Sequence, residues 1–236
     1  LKHSEITMKS IEKFTSEGYS IAANGTTYRK DIMGFLPTLM EKMYEERSVY
    51  KRKLIDCQKR QQAGEKNLEK DITKYYNFQL VRKIQLNSAY GAIGNQYFRY
   101  YSTDMAEAVT HSGQLSIRWI ANKLNEFLNE TIGTTDYDYV VASDTDSVYL
   151  RLGNLVDKFL PQCNDKDKII NFLNKSSEEI IQPFVDKKYS ELAELMNAYS
   201  NRMQMGREVI AERGIWTAKK RYALNVWDTE GVRYEI

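Results

Sequence analysis

The sequence predicts an α+β protein in which a long antiparallel helical hairpin is attached to an antiparallel sheet backed by helices. Three observations predict it. A stretch from Phe35 to about Gln62 repeats apolar residues at helical steps, and a second long helical stretch follows it after a short break at Gly64. A later stretch, Gly113, Ile117, Ile120, Leu124 and Phe127, has the period of a core helix. The β-branched and aromatic runs gather in the second half of the chain, after the helical hairpin. Two helices joined by so short a loop lie antiparallel.

Composition sets the bounds. With 236 residues, 42% of them hydrophobic, the chain can bury a real core. Three prolines, no low-complexity tract and no internal repeat exclude a linker-rich or solenoid design. A net charge of +2 does not by itself imply nucleic-acid binding, but Arg47, Lys51, Arg52, Lys53, Lys59 and Arg60 crowd one segment. Cys57 and Cys163 are far apart and match no metal spacing, so both are expected as free thiols of a reducing compartment. No signal peptide and no apolar run of about 20 residues occurs, which predicts a water-soluble, cytoplasmic chain with no membrane partner. The chain begins at Leu1 rather than Met, as a processed product or a cut fragment does.

Taken in order, residues 1–30 read as a short helix carrying Ile6, Ile11 and Phe14, then a loop from Gly18 to Gly25. Pro37 suits the first turn of a helix. Leu36, Leu39, Met40, Met43 and Tyr44 continue it to about Gln62. The returning helix runs from about Asn67 to about Gly94, and each arm reaches roughly 40 Å at about 1.5 Å per residue.

Arg47 and Lys51 share one face of the first arm. Taken alone, they are most simply a solvated charged face. On the second arm Lys83, Asn87, Tyr90 and Gly94 form a stripe with Gly91 beside it. Glycines inside a helix cost about 1 kcal/mol each, so this stripe asks for a reason. One cation, one amide, one ring and two positions without side chains suit a phosphorylated, base-bearing ligand that approaches the backbone closely.

After the aromatic segment Tyr97, Phe98, Arg99, Tyr100 and Tyr101, Asp104 with Glu107 three later is expected as a capping box opening the core helix. Gly133 is its expected stop. Residues 139–150 then place Asp144 and Asp146 at the bend of a hairpin. Extended residues two apart point the same way, so both carboxylates are expected to face one cation, with Val140, Val141, Val148 and Leu150 anchoring the strands. Asp, Thr and Ser are also ordinary turn residues, and on this segment the two explanations weigh about equally. An EF-hand is excluded, because counting from Asp144 puts Tyr149 at the Gly position and Leu155 at the Glu position.

Residues 165–199 read as a further long helix carrying Ile169, Phe172, Leu173, Ile180 and Phe184 and bending at Pro183. Strands are expected at 205–211 and 215–226. Glu208 is the best further carboxylate for a metal, with an ordinary surface Glu as the equal alternative. Lys219, Lys220, Arg221 and Tyr222 place three cations and a ring on one strand, which suits a nucleic-acid backbone. A solvated edge strand guarded by lysines competes with that reading.

Four separated segments resemble the family B DNA polymerases, most of all the replicative polymerases of large tailed bacteriophages. Arg47 to Lys51 is similar to the fingers motif whose Arg and Lys bind the incoming triphosphate. Lys83, Asn87, Ser88, Tyr90 and Gly91 match Lys-x-x-x-Asn-Ser-x-Tyr-Gly. That resemblance implies Lys83 on the triphosphate, Asn87 near it and Tyr90 under the nascent base pair. Asp144, Thr145, Asp146 and Ser147 match the palm signature, implying Asp146 as a metal ligand and Asp144 as a weaker one. Lys219 to Tyr222 resembles the motif that holds the duplex, and Arg207 and Glu208 stand at a dipeptide whose acid lies near the metals. Gly206 departs from the phage pattern, which has an acid there, and the link between Ala211 and Trp216 reads as short.

The resemblance implies fingers at 30–96, a palm-to-fingers segment at 1–29 and an incomplete palm at 97–236. It also implies two-metal nucleotidyl transfer with Mg²⁺, or Mn²⁺ in its place, from a dNTP to a primer 3′-hydroxyl, in a host cell's cytoplasm if the chain is phage-encoded. Implied partners are primer-template DNA, dNTP, the remaining polymerase segments (upstream palm strand, exonuclease domain, thumb) and a sliding clamp. The motif Asp-x-x-Ser-Leu-Tyr-Pro-Ser, which carries the family's other metal-binding Asp, does not occur. Inactivity of the chain alone is therefore expected. Two alternatives stay open: a non-catalytic binding subunit of a split polymerase, and a metal-dependent glycosyltransferase using Asp144 and Asp146 or Asp136 and Asp138. The second would need a parallel βαβ unit.

Overall fold

A computed structural model describes residues 7–234. Ile6, part of the first-helix expectation, lies outside the described residues. The architecture is α+β, with long helices and small antiparallel sheets. Helix α1 (Met8–Ser16) opens on a capping box, in which the Thr7 hydroxyl accepts from Ser10 N at 3.2 Å and Ser10 Oγ accepts from Thr7 N at 2.8 Å. The segment expected as a plain loop contains a small hairpin, β1 (Tyr19–Ile21) paired with β2 (Thr27–Arg29). Strands of three residues are too short to show an alternation.

The helical hairpin forms as the sequence predicts. Helix α2 (Phe35–Gln62) and helix α3 (Glu69–Ile93) run antiparallel, and Gly64 turns between them at φ 98°. Few of their side chains are buried, Leu54 and Cys57 on α2 and none on α3. Rings and charges join the arms instead. Tyr50 packs edge-on to Phe78 at 5.0 Å, the Arg82 guanidinium lies 4.9 Å over the Tyr50 ring, and Arg82 pairs with Glu46 at 3.0 Å.

Helix α4 (Thr103–Ile132) is the core helix. Its cap is Ser102, whose hydroxyl accepts from Met105 N at 3.2 Å, and not Asp104. Asp104 falls within the first turn, where its charge favours the positive helix end. Gly133 ends the helix at φ 80°, donating to Asn129 O at 2.8 Å. Ser116, Ile120, Leu124, Leu128 and Ile132 recur every four residues and are buried. Ile120 and Leu124 pack on Val185, Tyr189 and Leu192, while Leu128 and Ile132 pack on Tyr139 and Leu155.

Helix α5 (Gly153–Phe159), absent from the sequence expectation, is too short to show a period. Helix α6 (Lys166–Ser176) passes through a π-helical turn at Ser177–Ile181 into α7 (Gln182–Leu195). The irregularity thus precedes Pro183 rather than falling at it. A ring without an N–H clashes with the carbonyl four residues back, and a wider turn relieves that. Ile180, within the π-helical turn, is exposed.

The strands do not make one sheet. Among the described residues β3 (Val140–Asp144) pairs only with β4 (Ser147–Leu150), and β5 (Val209–Ala218), β6 (Arg221–Thr229) and β7 (Val232–Arg233) form a separate antiparallel sheet. The expected strands at 205–211 and 215–226 are corrected accordingly: the chain runs unbroken through 212–214 and turns at Lys219 and Lys220. Gly214 permits this. A Cβ there would come within 2.6 Å of the Trp216 ring and 2.7 Å of Leu224, so only glycine lets both side chains fold over the strand. All strand pairs among the described residues are antiparallel, so the βαβ unit required for the glycosyltransferase reading is not found there. Among the described residues no helix is long and apolar enough to cross a membrane. Cys57 and Cys163 are both free thiols.

Candidate functional site

The aspartate hairpin is positioned from behind. Asn125 on α4 accepts from Tyr139 N and Val140 N, both at 2.9 Å, and Asn129 bonds Tyr137 through N–H and C=O. Two helix amides therefore do for the start of β3 what a neighbouring strand would do. Val140, Val148 and Leu150 pack on the α4–α7 core. Val141, expected as a fourth anchor, is 46% exposed, because successive strand residues point to opposite faces and Val140 takes the core side.

At the far end the chain reverses over Thr145, which holds φ 52° while Asp146 N donates to Asp144 O at 2.5 Å. This is a tight, left-handed turn. Thr145 Oγ1 donates to Asp144 Oδ1 at 3.0 Å, and Ser147 Oγ donates to Asp144 O at 3.1 Å. Asp146 lies in the turn itself, so the extended spacing expected for the pair is replaced by the bend. Its exposed side chain makes no hydrogen bond or ion pair among the described residues.

The Lys219–Tyr222 segment comes to the same place. Lys219 and Lys220 form the turn of the β5–β6 hairpin, Lys220 at φ 60°, rather than lying on a strand as expected. Lys220 Nζ is 3.7 Å from Asp144 Oδ2. Behind that contact Tyr149 packs on Trp216 at 5.2 Å and on Tyr222 at 5.5 Å. Hydrogen bonding to Tyr222, with burial, raises the Tyr149 phenol above its ordinary pKa. Lys219 and Arg221 are exposed beside this cluster.

On the helical hairpin Lys83, Asn87, Tyr90 and Gly91 are all exposed, and a Cβ on Gly91 would meet nothing within 4 Å. That face is open to a ligand. On α2 the Arg47 Nε is buried with no hydrogen-bond partner among the described residues, while Lys51 is held by Glu230 at 2.5 Å. Glu208 is exposed just before β5, and its carbonyl accepts from Glu230 N at 2.8 Å. Its neighbour Arg207 turns inward to Asp228 and Asn174, with Arg233 also on Asp228 at 3.5 Å.

Asp144 and Asp146 are hard oxygen donors of the kind Mg²⁺ takes. The donor set is right in kind but short in number: among the described residues no group of three or more His, Cys, Asp or Glu could hold a metal, so Glu208 does not join the aspartates. Sequence reasoning missed Tyr149, Trp216 and Glu230. The signal for Glu230 was its place before Gly231 in a two-residue turn, a position usually given to Asn or Asp.

Paired turn carboxylates against a lysine-tipped hairpin, in a chain that also exposes Lys83 on a long helical arm, have the chemistry of a protein that handles phosphate polyanions. A model described as DNA polymerase family B matches residues 2–176, and the chain belongs to that family. It is 33% identical to the DNA-directed DNA polymerase of Enterobacteria phage T4 over 93% of this chain and 30% of that protein. It is 32% identical to the DNA-directed DNA polymerase of Escherichia phage RB69 over 96% of this chain and 31% of that protein. A DNA polymerase of Pyrococcus glycovorans is 28% identical over 83% of this chain and 20% of its own length. The chain thus spans about a third of the phage relatives it matches. The match to the T4 protein runs over 270 positions, more than the 236 residues of this chain, so that relative carries residues inside the shared span that are absent here.

Proposed function

We propose that the chain supplies the fingers and part of the palm of a template-directed DNA polymerase, with fingers at 30–96, a connecting segment at 1–29 and palm at 97–236. The observation that carries this reading is the meeting of the Asp144 turn with the Lys220 turn at 3.7 Å, which joins two motifs 76 residues apart in the sequence. Their roles follow from charge. Asp146, exposed in the turn, is the principal metal ligand, and Asp144, shared with Thr145 and Lys220, is the weaker one. When bound, divalent cations such as Mg²⁺ supply acidity at the primer 3′-hydroxyl and countercharge for the triphosphate.

The chain's own residues do the rest. Arg47, Lys51 and Lys83 take up negative charge on the triphosphate as pyrophosphate leaves. Asn87 orients it, Tyr90 lies under the nascent base pair, and Gly91 lets the ligand approach the helix. Lys219, Lys220, Arg221 and Tyr222 hold the duplex backbone. Primer-template DNA and dNTP are the substrates; an upstream palm strand, an exonuclease domain, a thumb and a sliding clamp are the partners, in a host cell's cytoplasm. With only two carboxylates assembled, we propose that this chain is inactive by itself. The test is single-turnover incorporation by a polymerase carrying this segment, comparing Asp146→Ala and Lys83→Ala with the parent; unchanged rates and nucleotide affinities in both would refute the reading.

A further inference from the structure

The geometry points to Glu230 as a built-in competitor of the nucleotide for Lys51. The inference rests on the nucleotide-binding role just proposed for Lys51. Helix α2 is clasped to the β6–β7 turn at two places on one of its faces. Lys51 Nζ meets Glu230 Oε1 at 2.5 Å, with both side chains about a third exposed or less, at 34% and 26%. Eleven residues on, Gln62 bonds the Arg233 backbone both ways, accepting from its N–H at 3.1 Å and donating to its C=O at 2.6 Å. Lys59 lies between, so close over Gly231 that a Cβ there would come within 2.6 Å of its Nζ.

The turn itself favours a specific purpose for Glu230. Glu230 and Gly231 are the two central residues of the hairpin between Thr229 and Val232, with φ 52° and 86°. Two positive φ values define a type of turn that local energetics fill with Asn-Gly or Asp-Gly. Glutamate takes the left-handed conformation with reluctance. What it gains over Asn or Asp is one more methylene of reach, and that reach ends on Lys51. A non-glycine residue held in a disfavoured conformation by its surroundings, here by the bond from Glu230 N to Glu208 O at 2.8 Å, is a common mark of a functional position.

A lysine cannot place one charge fully on two anions. While Glu230 holds Lys51, a triphosphate must displace the carboxylate, and the helical hairpin stays fastened to the C-terminal sheet. When the triphosphate wins, the charged half of the clasp opens and the neutral half at Gln62 remains. Glu230 therefore lowers nucleotide affinity, and removing its charge should raise it. This sign is opposite to that expected of a residue that merely supports the fold.

The experiment is calorimetric titration of the 236-residue chain with dATP and Mg²⁺, as parent, Glu230→Gln, Lys51→Ala and the double variant. The expected result is dATP binding tightened about two- to fivefold by Glu230→Gln, the range a partly exposed ion pair supports, with no such gain in the Lys51→Ala background. Because Gln fits the same turn, thermal melting controls for folding. Unchanged or weakened dATP binding by Glu230→Gln, in a chain whose binding still falls with Lys51→Ala, overturns the competition and leaves the nucleotide role of Lys51 standing. Loss of any effect of Lys51→Ala overturns that role and the inference with it.

Discussion

Lys220 Nζ stands 3.7 Å from Asp144 Oδ2, so the tip of one hairpin supplies the counter-charge for the turn of another. The contact is flanked by the Tyr149, Trp216 and Tyr222 rings rather than by aliphatic core. Two motifs with opposite charge thus meet on an aromatic seat, Asp144 half-buried and Lys220 exposed.

Asp146→Ala should abolish nucleotide addition by a complete polymerase carrying this segment and leave its melting temperature nearly unchanged, because the side chain is exposed and makes no hydrogen bond or ion pair among the described residues. Asp144→Ala should slow addition less and cost slightly more stability, since Asp144 holds Thr145 and Lys220. Single-turnover rates and thermal melts check both. Retention by Asp146→Ala of more than about a tenth of the rate, a barrier change under about 1.4 kcal/mol, would remove it as the metal ligand.

Lys83→Ala and Lys220→Ala should divide cleanly. Lys83 lies on the exposed face of α3, a different element from the Lys220 turn, so its loss should weaken nucleotide binding or slow incorporation and spare primer-template affinity. Lys220→Ala should weaken duplex binding and flatten its salt dependence by roughly one unit of slope. Equal losses of DNA affinity in the two variants would sink this division of labour.

The helical hairpin was legible because the first arm starts with apolar residues at helical steps, the second runs on without a helix-breaking proline, and Gly64 parts them. The aspartate turn was legible for the same local reason, two β-prone runs around Asp144 to Ser147. What the sequence hid depended on neighbours remote in the chain. Ser102 rather than Asp104 capped α4 because capping depends on where the backbone enters the helix, not on which residue is acidic. The unbroken β5 strand hinged on Trp216 and Leu224 covering Gly214, and a glycine reads locally as a break. Glu230 was invisible as a partner of Lys51, being 179 residues away.

Gly214→Ala should destabilise the fold by about 1–3 kcal/mol, the usual range for overpacking, because its Cβ would enter the space of the Trp216 ring. Since Trp216 also packs on Tyr149, the substitution should loosen the seat of the Asp144 turn. Thermal melting and the fluorescence of Trp216 measure the two effects. A variant as stable as the parent with an unmoved emission maximum would show that the strand accommodates the methyl without displacing the ring.

Tyr189 is buried against Ile120 and Leu124, and burial pushes its phenol up to about 12. A raised pKa means that the folded state favours the neutral phenol. The stability this gives is complete below the ordinary value near 10 and is lost as pH rises from there through about 12. Tyr189→Phe keeps the ring and removes the proton. The parent's melting temperature should therefore fall more steeply than the variant's between those two pH values, and parallel slopes would show that another tyrosine dominates alkaline unfolding.

The 236-residue chain assayed alone should not extend a primer. Nucleotidyl transfer by two cations needs carboxylates from more than one strand around the substrate phosphates. Here the described carboxylates nearest the task are the two of one turn, with Glu208 not grouped with them and Asp144 already sharing its charge with Lys220. Weak binding of Mg²⁺ or Mn²⁺ should survive through Asp146 and be lost in Asp146→Ala. Among the described residues β3 and β4 pair only with each other, which leaves strand edges able to accept another strand. A second polypeptide bearing the Asp-x-x-Ser-Leu-Tyr-Pro-Ser strand should therefore bind the chain and bring extension with it. Primer extension by the chain alone, and again with that polypeptide added, decides the matter: robust extension by the lone chain would mean that its metal ligands have been misassigned.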